Sequence, residues 1–132
     1  MKLTGKRFDR IYSTVPRVVV ELLIQNKKGI LLTRRSINPF KYKWHIPGGT
    51  VEIGQEIKDV LQSVAKRELG DQIVRSSFYK IHQYDKPFPH ISLVYKVKIK
   101  GEIILNDQAS EYGYYKKKPN NLISAHRVFF PL

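Results

Sequence analysis

Hydrophobic patterning begins in earnest at Arg17-Val18-Val19-Val20-Glu21-Leu22-Leu23-Ile24, a β-branched and apolar run with one acidic interruption. After the turn residues Asn26-Lys27-Lys28-Gly29 comes a second run, Ile30-Leu31-Leu32-Thr33, so the pair predicts a hairpin. Arg34 to Lys43 holds Asn38-Pro39 and is too polar to pack; it reads as a loop into a short strand, Trp44-His45-Ile46, which Pro47-Gly48-Gly49 ends. From Glu56 to Leu69 the period lengthens. Ile57, Val60, Leu61, Val64, Ala65 and Leu69 recur at helical spacing, and Gly70 is a natural stop. Ile73 to Tyr84 and Ile91 to Ile99 return to strand. In the second of these, Ile91, Leu93, Tyr95, Val97 and Ile99 share one face, while Ser92, Val94, Lys96 and Lys98 share the other, predicted to be mostly wet. Lys86-Pro87-Phe88-Pro89 must turn between them. Glu111 to Tyr115 is a further short strand, and Asn120 to Phe129 a closing helix with its Asn pair as cap. These elements predict one domain over residues 1–132 of the α/β (α+β) class, a sandwich built on a mixed β-sheet between helices.

Composition narrows the class. A chain of 132 residues buries roughly two-thirds of its unfolded surface in one core without staples. With no cysteine there is neither a disulfide framework nor a thiolate metal site, which fits a reducing, cytoplasmic setting. Glu21 interrupts the first apolar run and no small-residue cleavage site follows, so neither a secretory signal nor a membrane span is expected. Lys and Arg outnumber Asp and Glu by 24 to 11, a formal charge of +13, which attracts anions. The basic residues are scattered through strands and turns instead of gathered on one helix or in a tail. The charge thus supports a phosphorylated partner without choosing one, the scatter speaks against a nucleic acid, and a merely basic, solvated surface is the equal alternative.

The candidate chemistry lies in Trp44-His45-Ile46-Pro47-Gly48-Gly49-Thr50-Val51-Glu52 and in the helix closing at Glu68-Leu69-Gly70. This stretch resembles the Nudix box, G-x5-E-x7-R-E-U-x-E-E-x-G-U with U apolar, the signature of hydrolases that cut nucleoside diphosphates linked to another group. Begun at Gly49, the box is matched at Gly49, Ala65, Glu68 and Gly70; Gln55, Ser63, Val64, Arg67 and Asp71 stand at its other positions. A diphosphate hydrolase needs a divalent cation held by oxygen ligands, with positions left for substrate and water. Glu68 is the candidate carboxylate. Val64, four residues earlier, is apolar and Arg67 is basic, so the helix offers one strong ligand. Two readings stay open: a single weakly held Mg2+ completed by a backbone oxygen, a neutral side chain and the substrate's phosphates, or no metal.

A second resemblance, to the GDP-mannose mannosyl hydrolase branch of the Nudix family, covers nearly the whole chain. It runs through Ser13-Thr14-Val15-Pro16, Leu31-Leu32-Thr33-Arg34-Arg35, Tyr42 to Gly49, Glu68-Leu69-Gly70, Pro89-His90-Ile91, Asp107-Gln108 and His126-Arg127-Val128-Phe129-Phe130. The resemblance implies one Mg2+ on the Gly48 carbonyl, Glu68 and Gln108. It also implies attack at the anomeric carbon of the sugar, so that an intact diphosphate leaves and needs positive charge. Arg35 matches one of the two arginines the branch uses for this. Thr50 stands in place of the other, with Lys66 or Arg67 as possible substitutes. Glu21 matches an acidic residue of the first strand. Ala109 occupies the position of the branch's catalytic His, and general-base help is typically worth about a hundred- to ten-thousandfold. His45, His82, His90 and His126 remain, of which His90 precedes a strand in a segment resembling the branch, and Glu52 and Glu56 are alternative bases near the box. Tyr42, Trp44, Phe88, Tyr112, Tyr114 and Tyr115 are candidates to stack on a purine, most of them more cheaply explained by core packing. Members of the branch are commonly homodimers, and Lys6 to Pro16 is the segment that could reach across. The expectation is a Mg2+-dependent hydrolase of a nucleoside diphosphate sugar. Two alternatives accompany it: conventional phosphoanhydride cleavage with Glu52 or Glu56 as base, and a non-catalytic module binding a nucleotide sugar or an RNA end.

Overall fold

The computed structural model describes residues 5–38, 40–85 and 89–130. Its elements, in chain order, are α1 (Gly5–Tyr12), β1 (Arg17–Leu23), β2 (Gln25–Asn26), β3 (Gly29–Arg35), β4 (Trp44–His45), β5 (Gly48–Thr50), α2 (Ile57–Val64), β6 (Ile73–Tyr84), β7 (His90–Ile99), β8 (Ala109–Tyr115) and a closing 3-10 helix, Ser124–Phe129. They build two sheets. The first has the order β5-β1-β7-β6, with β1 and β7 parallel and its other pairs antiparallel. In the second, β3 pairs antiparallel with β2, β4 and β8. This is the mixed α+β sandwich the sequence predicts.

Strand periodicity distributes the apolar runs between two cores. Val20, Leu22, Ile24 and Leu31 pack with Val60, Leu61, Val64, Ala65 and Leu69 of the helical segment. Leu23, Ile30 and Leu32, which alternate with them, pack instead with Trp44, Ile46, Val94, Leu122 and Phe129. Both faces of β1 and β3 are thus covered, which is why these strands read as near-continuous apolar runs. The predicted helix forms as α2 and continues through a π turn, Ala65–Leu69, ended by Gly70 in the left-handed conformation at φ 61°.

Four expectations need correction. The hairpin between the first two runs is closed by β2, because β1 and β3 belong to different sheets and the chain crosses between them after Leu23. Gly48-Gly49 does not end a strand; it begins β5, which pairs with β1 through Val19↔Thr50 and Glu21↔Gly48. The second face of β7 is dry over its first half, since Ser92 and Val94 are fully buried opposite the second core and only Lys96 and Lys98 reach water. The closing helix is a six-residue 3-10 turn whose cap position is Ile123, with no side-chain cap, instead of an Asn-capped helix from Asn120. Of the predicted turn, Lys86, Pro87 and Phe88 lie outside the described residues, as does the stacking role assigned to Phe88. Among the described residues no helix is long and apolar enough to cross a membrane.

Candidate active site

β1 carries the first part of the site. Alternation sends Arg17, Val19 and Glu21 to one face of the strand, and all three line a cavity of about 410 Å³ together with Arg35, His90 and His126. A second, more open lobe of about 550 Å³ is lined by Glu52, Gln55, Arg67 and Gln108. Both lobes share Phe8, Arg17, Arg35, Gly48, Gly49, Thr50 and Glu68, which form the throat between them. The site is a two-lobed cleft between the sheets' ends and α2.

Glu21 sits at the floor of the deep lobe, 4% exposed. Its Oε1 accepts from the Ser92 hydroxyl and from Tyr84 at 3.2 Å, and its Oε2 accepts from His126 Nε2. Burial alone would push this carboxyl up. His126, Ser92 and the nearby His90 outweigh burial and hold it at about 2. The cost of an acidic residue in an apolar strand is met by this network. The tautomer of His126 follows from its other ring nitrogen: Nδ1 accepts the Ile46 amide N–H at 3.0 Å, so the ring proton is on Nε2, toward Glu21. His45 is tied in the opposite sense. Its Nδ1 donates to the Ile46 carbonyl at 3.0 Å, and its Nε2 accepts the Thr33 hydroxyl at 3.2 Å. Burial, the largest influence, lowers His45 to about 4.

Glu68 lies at the end of the helical segment, its side chain 17% exposed. The Gly48 amide N–H donates to Glu68 Oε2 at 3.0 Å. Burial raises its carboxyl to about 7 against the opposing pull of Arg67, the Gly48 amide and Arg35. Arg67 Nη2 stands 3.4 Å from the Gly48 carbonyl oxygen and 3.8 Å from Glu68 Oε2. A side-chain cation therefore already attends the two oxygens that the resemblance assigns to a metal. The Gly48 carbonyl, the Glu68 carboxyl and Gln108 all border the open lobe, and three oxygen donors with a single carboxylate fit one hard cation held weakly. Among the described residues no group of three or more His, Asp and Glu gathers to hold a metal.

Not every candidate reaches the cleft. Arg35, Thr50, Gly48 and Glu68 are at the throat, Glu21 and His90 in the deep lobe, and Glu52, Arg67 and Gln108 in the open one. Burial lowers Arg35, with Glu68 opposing. Glu56 turns outward, exposed and 3.4 Å from Lys58. Trp44 packs in the second core edge-on to Tyr115, ring centroids 5.1 Å apart, and lines neither lobe. Ala109 begins β8 beside Arg35. Among the described Phe, Tyr and Trp residues, those that border the cleft are Phe8 and Phe40. Sequence reading missed both, and missed Arg17, although the spacing of Arg17 and Glu21 at i and i+4 along a strand was a usable signal for one face. The segment from Lys6 onward lies at its own chain's cleft, where Phe8 and Asp9 of α1 form part of the wall.

The chain is similar to the low-salt glycan biosynthesis protein Agl8 of Haloferax volcanii, 34% identical over 76 residues that make up 58% of this chain and 49% of that one. It is 31% identical to the ADP-ribose pyrophosphatase of Methanocaldococcus jannaschii, over 76% of this chain and 62% of the relative. It is 30% identical to the nucleoside triphosphatase NudI of Salmonella paratyphi B, over 76% and 82%. The chain thus spans about half the length of the first of these relatives and under two-thirds of the second. Among solved structures, the MutT NUDIX hydrolase of Burkholderia pseudomallei superposes with a TM-score of 0.76 at 23% identity, over 86% of this chain and 95% of that one. The MutT protein of Methanosarcina mazei Go1 gives 0.74 at 25%, over 87% and 91%. Residues 15–125 match the family model for the NUDIX domain. With that match spanning most of the fold just described, the chain belongs to the Nudix family.

Proposed function

We propose that this protein is a Mg2+-dependent hydrolase of a nucleoside diphosphate sugar, of the GDP-mannose type, that releases the free sugar. The observation that carries this reading is the division of the cleft: a deep lobe built around a buried hydrogen-bonding carboxylate, and a throat of arginine, carbonyl and carboxylate groups suited to a diphosphate. A carboxylate has about four acceptor positions, and Ser92, Tyr84 and His126 fill three on Glu21, which leaves one for a sugar hydroxyl. Gly48, Glu68 and Gln108 would hold the metal, which when bound neutralises phosphate charge. Arg35, at the throat, stabilises the departing diphosphate; one such donor is typically worth about a hundred- to a thousandfold in rate. Water attacks the sugar carbon, the bond from that carbon to the phosphate oxygen breaks, and the oxygen leaves with the electron pair. We assign the water proton to His90, which lies buried in the deep lobe against Tyr84 with ring centroids 4.6 Å apart.

One observation favours a second reading. Glu52 borders the open lobe with Gly48, Glu68 and Gln108, so a carboxylate base shares a lobe with the assigned metal ligands; attack of water on phosphorus by this route yields a nucleoside monophosphate and a sugar phosphate. Incubation with GDP-mannose and Mg2+, with products identified by phosphorus NMR, separates the two. GDP with free mannose is the expected result; GMP would assign the chemistry to the Glu52 side. Glu68→Gln should abolish Mg2+-dependent turnover while leaving the melting transition intact, and unchanged turnover would remove Glu68 from the metal site.

A further inference from the structure

Arg17 opens β1 on the cleft face and borders both lobes. Its guanidinium packs over the Phe8 ring, 5.6 Å from the centroid. Among the described residues, the Arg17 Nε is buried with no hydrogen-bond partner. That is an expensive arrangement, because a guanidinium cannot shed its proton and a buried N–H left unpaired forfeits its hydration. Glu21, four residues on along the same face, does not resolve it: it accepts from Ser92, Tyr84 and His126, and among the described residues no hydrogen bond or ion pair joins it to Arg17. Burial pulls the Arg17 pKa down, with Tyr12 and Glu21 opposing. What the Nε lacks is an acceptor, and an oxyanion would supply one while offering a second to the rest of the fork.

The position of Arg17 says which oxyanion. Val19 pairs with Thr50 across β1 and β5, and the Val51 N–H donates to the Val18 carbonyl at 2.9 Å, so Arg17 stands at the end of β1, across from Glu52 and diagonal to Thr50. Thr50 brings no charge to the throat. Arg35 reaches the same throat from β3 in the second sheet.

We propose that Arg17 is a phosphate-binding residue, engaging through its fork the phosphoryl group of a nucleoside diphosphate at the throat between the two lobes. The inference rests on the nucleotide reading of the cleft but not on which bond is cut. Arg17 holds one phosphate from the first sheet and Arg35 the other from the second. Phe8 keeps the guanidinium plane facing the throat, and the unpaired Nε is the donor that the phosphate satisfies.

Calorimetric titration of the full chain with inorganic pyrophosphate and with GDP, in Mg2+, tests this. Arg17→Met should weaken both by about tenfold or more, Arg17→Lys should recover part of the loss, and Lys98→Met, a charge removed from exposed β7, should change neither. Because the free protein carries an unsatisfied donor at this site, Arg17→Met should melt at the same or a higher temperature, whereas a structural arginine would melt lower. Equal binding by wild type and Arg17→Met overturns the proposal, as does a wild type that binds neither anion. Should Arg17→Met lose its cooperative melt, the proposal is overturned unless Arg17→Lys melts normally and still binds pyrophosphate severalfold more weakly. GMP as the product from GDP-mannose would overturn the sugar-releasing reading and leave the Arg17 result standing.

Discussion

His45 and Glu21 titrate in separate windows, and both make acid destabilising. His45 binds its proton poorly when folded, at about 4 against an ordinary 6.5, because burial disfavours the cation; His126 and Arg35 add to this, with the Ile46 carbonyl and Glu21 opposing. Between those two values the unfolded chain holds the proton and the native one does not, so stability falls as pH drops from 6.5 toward 4, by on the order of 3 kcal/mol. Glu21 acts lower. Its folded value near 2, against 4.5, means that the stability its carboxylate contributes is present above 4.5 and is lost as pH falls toward 2. Urea denaturation at a series of pH values should show wild type losing stability relative to His45→Gln as pH falls from 6.5 toward 4, with the lower window the same in both. Glu68, raised to about 7, takes up its proton over much of the same range and offsets this loss, so the test is the difference between the two proteins: a wild type that falls no faster than His45→Gln between pH 6.5 and 4 would contradict the buried neutral imidazole.

At the scale of elements, the critical join is β5 against β1, because it fixes the Gly48 carbonyl that faces Glu68 and Arg67. A Cβ on Gly48 would fall 2.8 Å from the Val20 carbonyl oxygen, a backbone atom that cannot rotate away. Gly48→Ala should therefore destabilise by about 1–3 kcal/mol, the usual range for overpacking, and read as a lowered melting temperature. It should also weaken Mg2+ binding, since β5 must separate from β1; an unchanged melt would mean that this strand pair is looser than its register implies. The same join shows what sequence could and could not convey. α2 was legible because six apolar residues keep one stripe, and β6 and β7 because alternation holds for many residues. β5 was not, since two glycines and a threonine carry no apolar period and pair only because β1 is there to receive them. The dry half of β7 was hidden in the same way. Ser92 looks like a solvent residue until Glu21, an element away, gives its hydroxyl a buried acceptor. The site followed the same rule: residues carried by a motif, such as Gly48, Arg35, Glu68 and Gln108, could be named from sequence, while Arg17 and Phe8 meet only through the folding of α1 back onto the strand end.

For the whole molecule, the cleft is a device that couples the two sheets. β1 and β5 belong to the first and Arg35 to the second, while α1 and the helical segment close the sides, so a ligand at the throat touches parts that otherwise share only core packing. Binding to the native state alone stabilises by about 2.7 kcal/mol at a ligand concentration of a hundred times Kd, and such a ligand should move the entire unfolding transition. The single tryptophan, Trp44, is a convenient witness. It is buried in the second core, whereas the far-ultraviolet signal reports both sheets and the helices. GDP with Mg2+ should raise the midpoint seen by both probes together. The formal charge of +13 invites the competing view that anions collect on the surface at large. Surface binding of a polyanion loses about a thousandfold or more in affinity between 50 and 200 mM salt when several phosphates are engaged, and it has no reason to saturate at one ligand per chain. Stabilisation by GDP that saturates at one equivalent and survives 200 mM salt would place the anion in the cleft; stabilisation that vanishes with salt, or that a single-stranded oligonucleotide reproduces, would return the charge to the surface.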